Sequence, residues 1–140
     1  MIGILIISHG NLGDSLIDCA DHVMGERSPH LKQLRITNMD DPDAVMPKAL
    51  ELVKQLDRGD GVLVLSDICG ATPCNIASRL VKPGSVECLA GVNLPMLVRA
   101  LTYRNEPLSA VAEKALSGGR EGVIRINTGP TSCNTRRSKS

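Results

Sequence analysis

Aromatic side chains are almost missing from this chain of 140 residues: there is no Trp, no Phe, and Tyr103 is the single Tyr. A core must therefore be built from Leu, Ile, Val, Ala and Met. The stacking platforms that hold single-stranded nucleic acid are missing with them, so that class of partner is excluded. Net charge is missing too. Lys and Arg number 16 against 15 Asp and Glu, a formal charge of +1. No strong field draws such a chain to DNA or to an anionic membrane. The opening apolar run, Met1–Ile7, is too short to cross a bilayer. It also lacks the basic flank and small-residue cleavage site of a signal peptide. The five cysteines (Cys19, Cys69, Cys74, Cys88 and Cys133) are odd in number and contain no CxxC pair. A disulfide framework or zinc site is therefore not expected, and reduced thiols fit a cytoplasmic protein. No GxxxxGK[ST] pattern occurs, so no direct ATP binding, and no cofactor, is expected.

What is present is alternation. Ile2–Ile7 reads as a strand buried on both faces. From Leu12 the spacing changes: Leu12, Leu16, Cys19, Ala20 and Val23 form one apolar helical stripe. Leu31–Ile36 alternates as a weaker strand. Asp40-Asp41-Pro42 predicts a helix start, a capping carboxylate followed by Pro in the first turn, with the helix running to about Asp57. Pro47 falls inside it, a position that bends a helix, and Gly59 is a natural stop. Gly61–Ser66 is the strongest buried strand. Thr72-Pro73 opens a helix to about Val81, Val86–Ala90 is a short strand, and Pro95–Tyr103 and Leu108–Leu116 read as helices. Gly118-Gly119 is expected to end the second, leaving Gly122–Ile126 as a last strand. This order predicts an α/β domain over residues 1–126 with a mostly parallel sheet. The polar tail 127–140, with Arg136, Arg137 and Lys139, is expected to be disordered.

In open α/β sheets, reactive groups collect at the carboxyl ends of strands near the switch in strand order. Ser8-His9-Gly10 follows the first strand, and Ser66-Asp67 ends the strand at Gly61–Ser66. If those strands are neighbours, His9 and Asp67 face each other as a catalytic pair. Neutral imidazole is a good nucleophile toward phosphorus and is well populated near neutral pH. A carboxylate accepting from Nδ1 would fix the tautomer, leave Nε2 to attack, and stabilise charge on the ring. The surrounding loops suit a phosphate. Gly10 permits close backbone approach, and the helix near Leu12 aims free N–H groups at the same space. The Gly70-Ala71-Thr72-Pro73 turn opens a second helix N-terminus there, with Thr72 adding a hydroxyl donor. The other candidates are blander. His22 lies on a polar helix side and His30 in a loop. Ser8 lacks a Gly-x-Ser-x-Gly elbow, and Cys69 and Cys74 read as small apolar fillers.

Three segments together resemble a known family: the strand leading into Ser8-His9-Gly10, Asp67–Asn75 (DICGATPCN), and Gly91–Leu97 (GVNLPML). They resemble the mannose-type IIA domain of the bacterial phosphoenolpyruvate-dependent sugar phosphotransferase system, over Met1 to about Ile126. The resemblance implies a doubly wound, mostly parallel sheet of about five strands with helices on both faces. Its last strand, here Gly122–Ile126, would be antiparallel and exchanged within a homodimer. The resemblance also implies that His9 accepts a phosphoryl group from the histidine-containing phosphocarrier protein and passes it to a IIB domain, with Asp67 as its acidic partner. Gly10, Gly70, Ala71 and Thr72 would receive the phosphate. No metal, cofactor or nucleic acid is implied, and membrane contact comes only through a permease complex. The stretch ends soon after the IIA unit, so a separate acceptor is expected. Ala71 stands where the family commonly has a second Gly, which sets up a test of the backbone there. Three alternatives remain: a stand-alone regulator reporting phosphorylation state, a phosphoryl donor subunit for dihydroxyacetone kinase, and an interaction module with an inert His9.

Overall fold

The computed structural model describes residues 1–127 apart from Asn38 and Cys69. Nine elements alternate through it: β1 (Gly3–His9), α1 (Leu12–Met24), β2 (Leu31–Ile36), α2 (Pro42–Leu56), β3 (Val62–Ser66), α3 (Thr72–Leu80), β4 (Val86–Ala90), α4 (Leu94–Thr102) and α5 (Leu108–Glu121). The strands form one sheet in the order β2-β1-β3-β4, all neighbours parallel. The order reverses at β1, which pairs with β2 on one side and β3 on the other. The continuous apolar runs of β1 and β3 follow from this position. Ile4, Ile6, Leu63 and Leu65 pack under α1, α4 and α5, while Leu5, Ile7, Val62 and Val64 pack under α2 and α3. A central parallel strand has no solvent face, so both its sides are apolar.

Helix starts follow the expected chemistry. The Asp41 side chain accepts from the Asp43 N–H at the head of α2, and Asn93 accepts from the Met96 N–H at the head of α4. Pro residues fill the first turns of α2, α3 and α4, where a missing N–H costs nothing.

Three expectations need correction. The buried stripe of α1 is Gly13, Leu16, Ile17, Ala20 and Met24, whereas Leu12, Cys19 and Val23 are exposed. Gly13 turns the helix this way. A Cβ there would sit 3.0 Å from Ser8 Oγ and from Gln33 Cβ, so the lack of one draws α1 down onto the sheet by that edge. Next, Gly118 and Gly119 do not end α5; they are buried within it. A Cβ on Gly118 would lie 2.8 Å from Arg99 Cβ, and one on Gly119 2.8 Å from Met96 Cε. These glycines let α5 and α4 touch closely, which outweighs their poor helix propensity. Third, Gly122–Ile126 forms no ladder, and the described sheet has four strands rather than about five. A strand exists through its partner, and among the described residues this segment has none; Val123 and Ile126 stand 75% and 79% exposed. The tail from residue 128 onward lies outside the described residues.

The end of the sheet from which the strands start is pinned by Arg104, which sequence reasoning missed. Its side chain is 5% exposed, and it donates to the carbonyls of Ile2, Pro29 and His30 at 2.6–3.0 Å. Its own carbonyl accepts from the Ile2 N–H. One guanidinium thus ties the loop between α4 and α5 to the starts of β1 and β2. It also holds His30 in a left-handed conformation, φ +53°. Its burial pulls its pKa down. Arg104→Met keeps the apolar stem but strands the Ile2 and Pro29 carbonyls, while the His30 carbonyl keeps the Ile4 N–H. It is expected to lower stability by about 3 kcal/mol, the scale of losing a buried charged hydrogen-bond hub. Denaturant unfolding checks this: the midpoint should fall with the slope unchanged.

Candidate active site

His9 is the last residue of β1 and Asp67 the first residue after β3, on the strand paired alongside. The parallel register places Ile7 opposite Ser66, so both chains run out at one level and their next side chains meet. Asp67 Oδ2 lies 2.7 Å from His9 Nδ1 and also accepts the His9 backbone N–H at 2.9 Å. Asp67 Oδ1 accepts the Ile68 N–H at 2.7 Å. Two backbone donors therefore hold the carboxylate before the imidazole reaches it. The Asp67 side chain is 10% exposed and that of His9 42%. The acid is shielded while the ring opens to solvent.

Burial alone would raise the Asp67 pKa, but the hydrogen bonds from the His9 backbone and ring and from Ile68 outweigh it. The pKa falls below the ordinary carboxylate value. The carboxylate is then an acceptor only, so Nδ1 must carry the proton and donate it. In the neutral ring, that tautomer leaves the lone pair on Nε2. The depressed pKa also has a stability consequence. A carboxylate with a lowered folded-state pKa stabilises the fold at pH above its unfolded value, and that contribution vanishes as pH falls through the folded value. Wild type should therefore exceed Asp67→Asn in stability at neutral pH, and the gap should close below about pH 4, near the unfolded carboxylate value. Unfolding curves of both proteins across that range check the sign.

The remaining candidates sit on the two loops that enter helices at this end. Gly10 has φ +53°, and its N–H bonds the Ile36 carbonyl, tying the loop to β2. Gly70 has φ +89°, and nothing approaches within 4 Å of a Cβ built on either glycine. The left-handed backbone, not crowding, is what calls for Gly there. Ala71 is extended, φ −101° and ψ 171°, so the position needs no glycine and the backbone question it raised is answered. Thr72 opens α3. Neither α1 nor α3 has a side-chain cap, unlike α2 and α4. Among the described residues, no side chain occupies the first N–H groups of these two helices, which follow the loops after His9 and Asp67.

Ser8 and Ser66 are 0% and 1% exposed, and their hydroxyls have no partner among the described residues. Ser8 faces Gly13 under α1 rather than the open end, which removes it as a nucleophile. His22 is exposed on the far part of α1 and His30 belongs to the opposite end of the sheet. Cys74 is half-buried in the first turn of α3; Cys69 lies outside the described residues. Burial pushes the Cys88 thiol up to about 12, and its Sγ donates to the Ala77 carbonyl, a packing role. Among the described residues no three His, Cys, Asp or Glu side chains converge as a metal site.

The GVNLPM segment (Gly91–Met96) turns out to be scaffolding for this end. The Val92 N–H bonds the Ser66 carbonyl, one residue before Asp67. Asn93 caps α4 through Oδ1 and donates from Nδ2 to the Gly119 carbonyl of α5. Sequence spacing offered Asn-x-Pro as a helix start; the bond to α5, made 26 residues away, left no local signal.

The chain is similar to known proteins over most of its length. The model of the EIIA-man family, PTS system fructose IIA component, matches residues 3–116. The PTS system mannose-specific EIIAB component of Escherichia coli (strain K12) is 33% identical over 132 residues, covering 92% of this chain. The chain spans 41% of the length of that relative. The PTS system fructose-specific EIIA component of Bacillus subtilis (strain 168) is 29% identical over 105 residues, covering 74% of this chain and 71% of the relative. Among solved structures, the phosphotransferase system component EIIA from Streptococcus agalactiae superposes with a TM-score of 0.79 at 25% identity. The match covers 89% of this chain and 97% of that one.

Proposed function

Because this chain belongs to the mannose-type IIA family of the sugar phosphotransferase system, whose components transfer phosphoryl groups, we propose that His9 is its phosphoryl acceptor and Asp67 the group that orients it. The donor is the histidine-containing phosphocarrier protein and the acceptor a IIB domain feeding sugar uptake. The single observation that carries this reading is the 2.7 Å contact between His9 Nδ1 and Asp67 Oδ2 at the open end of the sheet.

The transfer balances as an in-line exchange. The Nε2 lone pair of His9 forms a bond to phosphorus as the bond from phosphorus to the donor's imidazole nitrogen breaks, and that pair returns to the donor. The Nδ1 proton stays on the ring, held by Asp67, whose negative charge offsets the positive charge that develops on the imidazole. The free N–H groups at the heads of α1 and α3, with Gly10, Gly70, Ala71 and the Thr72 hydroxyl, receive the phosphoryl oxygens. Passing the group to the acceptor reverses these steps. No cofactor or metal takes part.

The domain comprises residues 1–126, and 127–140 is a tail outside it. The protein works in the cytoplasm as a homodimer: Gly122–Ile126 would gain in a second subunit the ladder that it lacks alone. None of the described helices is long and apolar enough to cross a membrane. Intact-protein mass tests the reading. Phosphoenolpyruvate, enzyme I and the phosphocarrier protein together should add one phosphoryl group, removed by acid. No added mass would count against the relay and favour an inert module.

A further inference from the structure

The sheet is open along the outer side of β2. Among the described strands only β1 pairs with it. The His30 carbonyl accepts from the Ile4 N–H and the Ile36 carbonyl from the Gly10 N–H, so the even-numbered residues of this stretch turn their backbone groups toward β1. Backbone direction alternates along a strand. The N–H and C=O groups of Leu31, Gln33 and Arg35 therefore point away from the sheet, and no other backbone group among the described residues bonds them.

A groove of about 370 Å³ lies beside this edge. Leu34, Ala44 and Val45 give it an apolar part, and Arg35, Lys48 and Asp40 give it charge. The two cations come from different elements, β2 and α2, and neither has an ion-pair partner among the described residues. The acid is already engaged: Asp40 Oδ2 accepts the Thr37 N–H at 2.7 Å. The cations also belong to opposite faces of the sheet. Gln33 approaches Gly13 of α1, and Arg35, two residues on, shares that face, whereas Leu34 packs with the α2 side.

Cations on an edge strand commonly guard it against unwanted pairing. A guard needs charge alone; here the open edge adjoins an apolar recess with a second cation behind it. We propose that the β2 edge is a strand-addition site for an extended segment of a partner protein with acidic side chains at two successive positions. Main-chain bonds to Leu31, Gln33 and Arg35 supply the pairing. Successive side chains of the guest strand fall on opposite faces, so one carboxylate meets Arg35 and the next meets Lys48. Charge argues against the two occupants nearest to hand. The chain's own residues 128–140 include Arg136, Arg137 and Lys139 and no Asp or Glu. A second copy paired edge to edge would bring the Lys32 and Arg35 of both copies onto one short ladder, where like charges repel. Strand addition at β2 and phosphoryl transfer at His9 stand or fall separately.

The test uses the full chain with an N-acetylated, C-amidated peptide, Thr-Val-Glu-Glu-Val-Thr, and its Gln-Gln counterpart. The Glu peptide should slow amide hydrogen exchange at Leu31, Gln33 and Arg35 and shift their amide resonances, leaving β4, the other edge of the described sheet, unmoved. Arg35→Gln combined with Lys48→Gln should weaken binding about tenfold, the scale of losing two exposed ion pairs, and the Gln-Gln peptide should show a similar loss on the wild type. Methyl groups on the peptide nitrogens of one edge of the guest strand should abolish binding, and those on the other edge should leave it, as pairing through a single edge requires. Equal affinity for the two peptides, shifts confined to other residues, or no shift at millimolar peptide overturns the proposal. Slow exchange at Gln33 and Arg35 without peptide overturns it too: a dependence on protein concentration identifies a second copy as the occupant, and independence identifies the chain's own tail.

Discussion

The His9→Ala variant is expected to take up no phosphoryl group from the phosphocarrier chain, while folding as the wild type does. The imidazole is 42% exposed and closes no core contact, so its loss removes the acceptor nitrogen and little else. The Asp67 carboxylate would keep both of its backbone donors, from His9 and Ile68, so the loops should hold their shape. The relevant measurement is acid-labile label per chain, alongside a denaturation curve to confirm the fold. Full labelling of the variant would move the acceptor elsewhere in the molecule. His22 and His30 are the other histidines, and neither adjoins a free helix N-terminus at the carboxyl end of the sheet.

Removing the acid has the second-largest consequence. Asp67→Ala is expected to slow phosphoryl transfer by about two orders of magnitude, the usual loss on deleting one preorganised electrostatic partner. Two separable effects combine there. Without the acceptor at Nδ1 the ring is free to place its proton on Nε2, which removes the nucleophile. The positive charge that forms on the ring also loses its counter-ion. Asp67→Asn separates them, because the amide oxygen can still accept from Nδ1 but carries no charge. It should therefore recover part of the lost rate in rapid-quench transfer assays. An unchanged rate in the alanine variant would leave Asp67 with the backbone of this loop and no part in the transfer.

The juxtaposition of His9 and Asp67 could be read from the sequence because it depends on strand order alone. Two polar residues end two strongly apolar strands, and the arrangement needs only that those strands be neighbours. The runs Ile2–Ile7 and Gly61–Ser66 are apolar throughout because both strands lie at the middle of the sheet, so the pattern that reveals them also places them side by side. Helix starts were legible for a similar reason: Asp41-Pro42 and Thr72-Pro73 act within one turn. Features set by a distant partner were hidden. Gly118 and Gly119 have the look of a helix stop, yet they are shaped by Pro95, Met96 and Arg99 on another helix. Arg104 resembles any loop cation until three carbonyls from elsewhere close around it. The face of α1 was misjudged because Leu12, Cys19 and Val23 satisfy a helical period as well as the true stripe does, and only the approach at Gly13 decides between them.

Arg104 and His9 occupy opposite poles of one parallel sheet. At the pole where strands begin, a buried cation laces loop to loop; at the pole where they finish, Met39 and Ile68 on loops and Leu12 at the head of α1 stand in solvent, and α1 and α3 have no side-chain cap among the described residues. Mutational tolerance should be divided the same way. Substitutions on the loops around His9 should leave folding intact, since the clasp that secures the strands lies a full strand length away.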